Sequence, residues 1–333
     1  MAVYMTVTPD CVQKKTLYIT KASFFVHKKK LQEVTSMIFS GVEGVRDPFV
    51  LRDGTHYYLY GTGVYDYKRE DWENTAWICY VNKSGRLDGP WKQTETIVFE
   101  NPDGATKNRW APEVHKYRNA YYMFATYYWE KTGRRGCTIL KAPSPAGPFV
   151  EITNGHITPP DWDAIDGTLY IDREGQPWMF FVHEWTSTAD GIGTMAVAKL
   201  SEDLTHFVTE PVELFRADAP SWSDHQVTDG CFLYTTENGT LLMLWSNFDE
   251  GGYCVGIARS ESGNILGPWT QDDQRLFCRG KAGEYDGGHG MIFTDTDGQM
   301  YLTIHSPNCV TEAFAERTVF IPIKEENNTL VIV

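Results

Sequence analysis

One phrase, written five times, constrains what this chain can fold into more than any other feature. In its first form, Val45-Arg46-Asp47-Pro48-Phe49-Val50-Leu51 runs into Arg52-Asp53-Gly54-Thr55 and returns through His56-Tyr57-Tyr58-Leu59-Tyr60. Phe49 to Leu51 reads as a short buried strand, Asp53-Gly54 as a hairpin turn, and the aromatic run as the returning strand. Pro48 lacks a backbone donor and restricts Asp47 to extended conformations, so an acid is aimed from the head of the strand. Ala76 to Val81 and Trp91 to Phe99 continue the unit as two further strands, with the turn-rich Asn82 to Pro90 between them.

The phrase returns at Trp110-Ala111-Pro112-Glu113-Val114, at Ala164-Ile165-Asp166-Gly167-Thr168, at Val227-Thr228-Asp229-Gly230-Cys231 and at Gly287-Gly288-His289-Gly290-Met291. Each time a turn and an apolar or aromatic strand follow. Gly89-Pro90, Gly147-Pro148 and Gly267-Pro268 precede the expected last strands of units one, two and four. No helical period of any length interrupts the series. Four-stranded units repeating at roughly 50 to 65 residues predict an all-β fold, a five-bladed β-propeller with four-stranded antiparallel blades around a central channel. The propeller is expected over residues 39–333. Residues 1–38 read as an N-terminal segment, an edge strand or partly disordered: Thr16 to Val26 has strand character, and Lys28-Lys29-Lys30 reads as a solvated turn.

In such a blade the first strand lies nearest the axis, so the residues opening each unit ring one mouth of the channel. Here they are Asp47, Glu113 or its neighbours, Asp166, Asp229 and His289. Carboxylates converging on a small mouth are costly unless they are hydrated, bound to metal or held at different protonation states.

Composition narrows the ligand. A formal net charge of −14 argues against nucleic acid and anionic membrane surfaces, both of which call for a basic patch, and leaves a neutral ligand as the better fit. The 11 Trp, 18 Tyr and 17 Phe mostly serve β-core packing, and the surplus suits platforms for sugar rings. No apolar run approaches the ~20 residues of a membrane span. If Met1 is the natural start, the lack of a basic, apolar, small-residue order places the protein in the cytoplasm. Seven dispersed cysteines, at 11, 79, 137, 231, 254, 278 and 309, fit reduced thiols and no zinc site.

Arg46-Asp47-Pro48, Trp110-Ala111-Pro112-Glu113, Ile165-Asp166-Gly167 and Gly288-His289-Gly290-Met291 together resemble glycoside hydrolase family 43, the five-bladed arabinofuranosidases, xylosidases and arabinanases, from about residue 40 to the end. The resemblance implies an inverting mechanism on pentose-containing oligosaccharides. Asp47 matches the general base, and Asp166 the aspartate that adjusts and orients the acid. The family's proton donor is a blade-four glutamate followed by Gly-Pro; here the phrase is Asp229-Gly230-Cys231, one methylene shorter.

Inversion needs acid and base carboxyls ~6.5–9.5 Å apart with the acid protonated near neutrality. Glu184, in Phe181-Val182-His183-Glu184-Trp185, is the second candidate donor, since antiparallel return brings it back to the mouth of Asp166. Asp229 leads on position and Glu184 on reach. Trp110, Trp185 and Trp222 are candidates to stack on a sugar face, Arg259 to bind a hydroxyl and Glu113 to line the mouth. His289 resembles the axial histidine that holds a channel calcium or its waters in several members. Calcium prefers oxygen ligands, so the ion is optional and structural, and no cofactor is required.

The favoured reading is an α-L-arabinofuranosidase or β-xylosidase, ahead of an endo-arabinanase. A fructosidase-like retaining enzyme, with carboxyls ~5–5.5 Å apart, and a non-catalytic carbohydrate-binding propeller are the alternatives.

Overall fold

The computed structural model describes residues 37–64, 73–94, 97, 106–308 and 316–333. The segments read as Thr16 to Val26 and Lys28 to Lys30 lie outside the described residues, as do Cys11 and Cys309. The chain first lays down β1 (Ile38–Glu43), which does not pair with the strand after it. Blade one is β2 (Arg46–Asp53), β3 (His56–Val64), β4 (Thr75–Asn82) and β5 (Lys92–Gln93). Blade two is β6 (Thr106–Tyr117), β7 (Ala120–Trp129), β8 (Arg134–Ala142) and β9 (Val150–Glu151). Blade three is β10 (Ala164–Ile171), β11 (Pro177–His183), β12 (Thr194–Lys199) and β13 (Val212–Arg216).

Blade four is β14 (Asp229–Thr235), β15 (Leu241–Asp249), β16 (Gly252–Ser260) and β17 (Thr270–Gln271). Blade five is β18 (Gly288–Thr294), β19 (Met300–Ser306) and β20 (Arg317–Glu326), edged by β21 (Thr329–Ile332) and by β1, which pairs antiparallel to β20 through Ile38–Phe320 and Phe39–Val319. The fold is thus an all-β five-bladed propeller, with no helix among the described residues. Blade five is closed by strands from both ends of the described chain.

Local sequence explains the strands. Tyr121 to Tyr127 in β7 are continuously buried, because a middle strand of a blade packs on both faces against neighbouring blades and so carries an unbroken apolar run. Tyr60, Trp77, Met123 and Phe320 share a cluster spanning blades five, one and two. Phe180, Met195, Met243 and Trp245 join blades three and four. Each such side chain contributes about 1.5–3 kcal/mol on leaving water.

The outer strand of blade three is shorter than the sequence predicts. Among the described residues of Trp91 to Phe99 lie β5 and an isolated bridge from Ile97 to Trp77, and Phe207 to Phe215 reduces to β13 plus a bridge from Phe207 to Leu200. At the blade edge the ladder has a partner on one side only. The first strands β2, β6, β10, β14 and β18 touch in a closed ring about the axis, which gathers the opening residues of the units at one mouth.

Candidate active site

Every first strand breaks register near its start: β2, β10, β14 and β18 once, and β6 twice, first between Lys107 and Trp110, where Asn108 is also left-handed (φ 51°), and again between Trp110 and Glu113. Arg46 pairs with Thr62 and Phe49 with Tyr60; Ile165 pairs with Val182 and Thr168 with Phe180; Asp229 pairs with Ser246 and Phe232 with Leu244; Gly288 pairs with His305 and Met291 with Thr303; Trp110 pairs with Thr126 and Glu113 with Phe124. Two residues are left over each time, and the first has left-handed backbone: Asp47 (φ 53°), Ala111 (42°), Asp166 (56°), Gly230 (48°) and His289 (54°). A bulge bends the strand and re-aims one side chain at the axis.

This register corrects two expectations and narrows a third. Asp47 is left-handed rather than extended, because the bulge overrides the preference of a residue before proline. Asp229 stands one position before the bulge, and its blade's axial residue is Gly230. Of Glu113 and its neighbours, the axial residue of blade two is Ala111, and Glu113 stands two positions past that bulge. Glu113 is buried below the mouth, 3.1 Å from His115 Nε2.

The bulge amides are tied from blade to blade. In four blades the side chain opposite the residue before the bulge accepts the N–H of a neighbouring blade's bulge residue. Thr62 Oγ1 takes Ala111 N–H (2.8 Å), Thr126 Oγ1 takes Asp166 N–H (3.0 Å), Ser246 Oγ takes His289 N–H (2.9 Å) and His305 Nδ1 takes Asp47 N–H (3.2 Å). Blade three has Val182 at that place. The Gly230 N–H it would have served donates instead to Asp166 Oδ2 at 2.9 Å.

Asp47 is the best-supported carboxylate of the mouth. Thr62 Oγ1 donates to its Oδ2 at 2.6 Å and His289 Nδ1 lies 3.3 Å from its Oδ1. Burial works to raise its pKa, but the electrostatic pull of His289 and Arg46 and the Thr62 hydroxyl together hold it below the usual carboxylate range. Arg46 is anchored by Glu316 Oε1 at 2.9 Å and Asn308 Oδ1 at 2.7 Å.

His305 is neutral: burial, reinforced by Arg46, pushes it down to about 3. Its Nδ1 accepts from Asp47, so the ring proton sits on Nε2, 3.1 Å from Asn308 Oδ1. Its 3.8 Å approach to Asp47 Oδ1 is therefore no ion pair.

The other acids of the mouth are pushed the opposite way. Asp166 is raised well above the carboxylate range by burial and by Asp47, against the Gly230 amide. Asp229 is raised to about 8 by burial and by Asp166, against His289 and the Tyr253 hydroxyl, which donates to Oδ2 at 3.0 Å. One mouth thus holds an aspartate pulled toward its ionised form beside two pushed toward their protonated forms, the separation of roles that acid–base chemistry requires.

Glu184 lies just past β11, its N–H on Asp163 O at 2.8 Å. Burial raises its pKa although Arg135 Nε, 2.7 Å away, opposes. The same guanidinium sits 5.5 Å over the Trp110 ring, and Asp163 holds the Arg135 backbone at 2.9 Å, so Trp110, Arg135 and Glu184 form one wall. Trp185, half-buried, follows Glu184 in the turn.

Two predicted residues are not at the mouth. Trp222 is buried 5.3 Å from Trp245 in the apolar cluster of blades three and four, with its indole N–H on Asp272 O. Arg259 lies near the far end of β16, opposite Leu242, and forks onto Asp272 at 2.5 and 2.7 Å. The sequence shows an indole and a guanidinium but not which end of a strand they occupy. For calcium, His289 offers one nitrogen already facing Asp47, with Asp166 Oδ2 at 3.9 Å. The described residues form no group of three His, Cys, Asp or Glu suited to a metal.

Sequence reading passed over Thr62, His305, Tyr253 and Arg135. Thr62 and His305 carried a signal, since each sits opposite the residue before a bulge; Tyr253 and Arg135 carried none.

Fold and site together define a class: five-bladed propellers with an acid-lined axial mouth. The sequence profile of Glycosyl hydrolases family 43 matches residues 42–324, and the chain belongs to that family. It is 34% identical to a solved structure described as an endo-arabinase from Bacteroides thetaiotaomicron VPI-5482, with a TM-score of 0.73 over 88% of this chain and 99% of that one. An endo-1,4-beta-xylanase from the same organism shares the fold at 23% identity, with a TM-score of 0.71 over 89% of this chain and 96% of that one. Among curated proteins, the extracellular exo-alpha-(1->5)-L-arabinofuranosidase ArbA of Cellvibrio japonicus is 26% identical over 182 residues, 51% of this chain. A probable arabinan endo-1,5-alpha-L-arabinosidase B of Aspergillus fumigatus is 24% identical over 159 residues, 43% of this chain. The chain spans 47% and 38% of the lengths of these two curated relatives.

Proposed function

We propose that the protein is an inverting glycoside hydrolase acting on α-L-arabinofuranosyl linkages of arabino-oligosaccharides. The arrangement that carries this reading is one mouth in which hydrogen bonds and charges pull Asp47 below the carboxylate range while burial and neighbouring acids push Asp166 and Asp229 above it. Asp47 deprotonates a water that attacks the anomeric carbon, and a protonated carboxyl across the mouth gives its proton to the leaving oxygen. Asp229 is the donor on protonation state. Its Oδ2 is taken by Tyr253, so the proton resides on Oδ1.

Glu184 is a second reading for the donor, favoured by its longer reach and its place beside Trp110 and Trp185. Both acids belong to blades two steps from blade one and so lie across the axis from Asp47. Asp166 tunes the donor by its proximity to Gly230. Trp110 and Trp185 supply sugar-stacking faces, and Arg135 a hydroxyl donor. The arabinan preference is supported by the descriptions of the similar proteins, three of which name arabinan chemistry.

The test is hydrolysis of linear α-1,5-arabino-oligosaccharides, aryl α-L-arabinofuranoside and aryl β-D-xyloside by wild type, Asp47→Ala, Asp229→Ala and Glu184→Ala. Asp47→Ala is inactive on every substrate. The donor is the residue whose loss harms oligosaccharides far more than activated aryl glycosides, whose leaving groups need little protonation. Binding of oligosaccharides without turnover on the whole panel would reduce the protein to a carbohydrate-binding propeller.

A further inference from the structure

The blade-to-blade ties form a ring with a single exception, and the exception falls at the residue the proposed chemistry needs most. Thr62, Thr126, Ser246 and His305 each occupy the position opposite the residue before a bulge, and each accepts a neighbouring bulge amide. Val182 occupies that position in blade three, paired with Ile165. It is fully buried, and its methyl groups accept nothing. Blade one shows what a hydroxyl does there: Thr62 takes the Ala111 amide and at the same time donates to Asp47 Oδ2 at 2.6 Å, turning that carboxyl toward its own second strand.

We infer that Val182 is a positioning residue for catalysis: by withholding a hydroxyl it leaves the Gly230 amide to Asp166, which fixes the Asp166 carboxyl against the backbone that carries Asp229. Gly230 suits this contact. It is left-handed at φ 48°, and an added Cβ would fall 2.8 Å from His289 Cγ and 3.1 Å from its Cα, so the amide approaches Asp166 only while position 230 stays bare. Asp47 and Asp166, equivalent by register, are thereby held differently, one by a side-chain hydroxyl and one by a backbone amide of the next blade. The inference rests on the hydrolase reading of the mouth.

Val182→Thr tests it with almost no change of shape. The new hydroxyl, placed as Thr62 and Thr126 are, takes the Gly230 amide and donates to Asp166, turning that carboxyl toward blade three. On linear α-1,5-arabino-oligosaccharides we expect kcat to fall about tenfold, the rate equivalent of one lost hydrogen bond, with KM held within about twofold. Val182→Ala leaves a cavity and no hydroxyl, so it lowers the melting temperature yet keeps a kcat several-fold above that of Val182→Thr.

Wild-type kcat in Val182→Thr overturns the inference, as does an equal loss in both variants, which would make Val182 a packing residue only. Asp166→Asn and Asp47→Asn run in parallel locate the failure. If wild type turns over no substrate, the hydrolase reading falls, and if both variants retain wild-type activity, the catalytic assignment of the mouth carboxyls falls; either takes the inference with it. If both lose activity while Val182→Thr does not, the reading stands and the inference alone fails.

Discussion

At the scale of single residues the account depends on which carboxyls hold protons. Replacing Asp47 with Asn keeps the shape and removes the base, and turnover of arabino-oligosaccharides is expected to fall about 10²–10⁴-fold. Because Asp47 is held below the carboxylate range, the acid limb of kcat/KM lies lower than an unperturbed aspartate would place it. Because Asp229 loses its proton near 8, activity falls again as pH rises through about 8. In Asp229→Asn the alkaline limb disappears on activated substrates; a limb that survives in that variant and vanishes in Glu184→Gln makes Glu184 the donor.

The same aspartate carries a stability signature. Unfolded, Asp229 ionises near 3.8, and folded near 8, so between these values the native state binds the extra proton and stability declines as pH rises. Asp229→Asn has no such term. Its melting temperature relative to wild type is therefore expected to increase between pH 5 and pH 8, which calorimetry at both values checks.

At the scale of elements, the bulge of β2 is the part most easily damaged from outside the mouth. Gly61 on β3 lies where a Cβ would come 2.6 Å from the Arg46 carbonyl oxygen and into Val45 Cγ1. Backbone cannot yield as a flexible side chain can, so Gly61→Ala displaces the residue before Asp47. We expect a melting temperature lower by several degrees and a kcat loss larger than any change in KM, read by thermal unfolding and steady-state kinetics.

The bulge is also where sequence legibility stopped. Asp47 and Asp166 were readable because a carboxylate heads each phrase. In sequence, blade four is headed by its acid and blade two is open between Glu113 and its neighbours, because the residues at these two bulges, Gly230 and Ala111, carry no functional group that marks them. Trp222 and Arg259 failed for a different reason: a residue's type does not tell which end of a strand faces the mouth.

At the scale of the whole molecule, five repeats of one phrase were enough to set blade number and the order of strands within a blade, because each hairpin is local. Closure was not legible. It pairs Ile38 with Phe320, and a contact across that separation leaves no periodic trace. Val42 of β1 is buried in the cluster that includes Val45, Phe49 and Phe320. Val42→Asp places a charge there, with an expected loss of roughly 3 kcal/mol or more and a melting temperature several degrees lower.

The central claim, that Asp47 directs water onto one face of an arabinosyl unit while a carboxyl across the mouth protonates the leaving group, is tested most directly by proton NMR of the first product formed from an α-L-arabinofuranoside. Inversion predicts that β-arabinose is released first and the α anomer grows in only by mutarotation; α-arabinose as the first product would require a nucleophilic carboxylate and contradict the account.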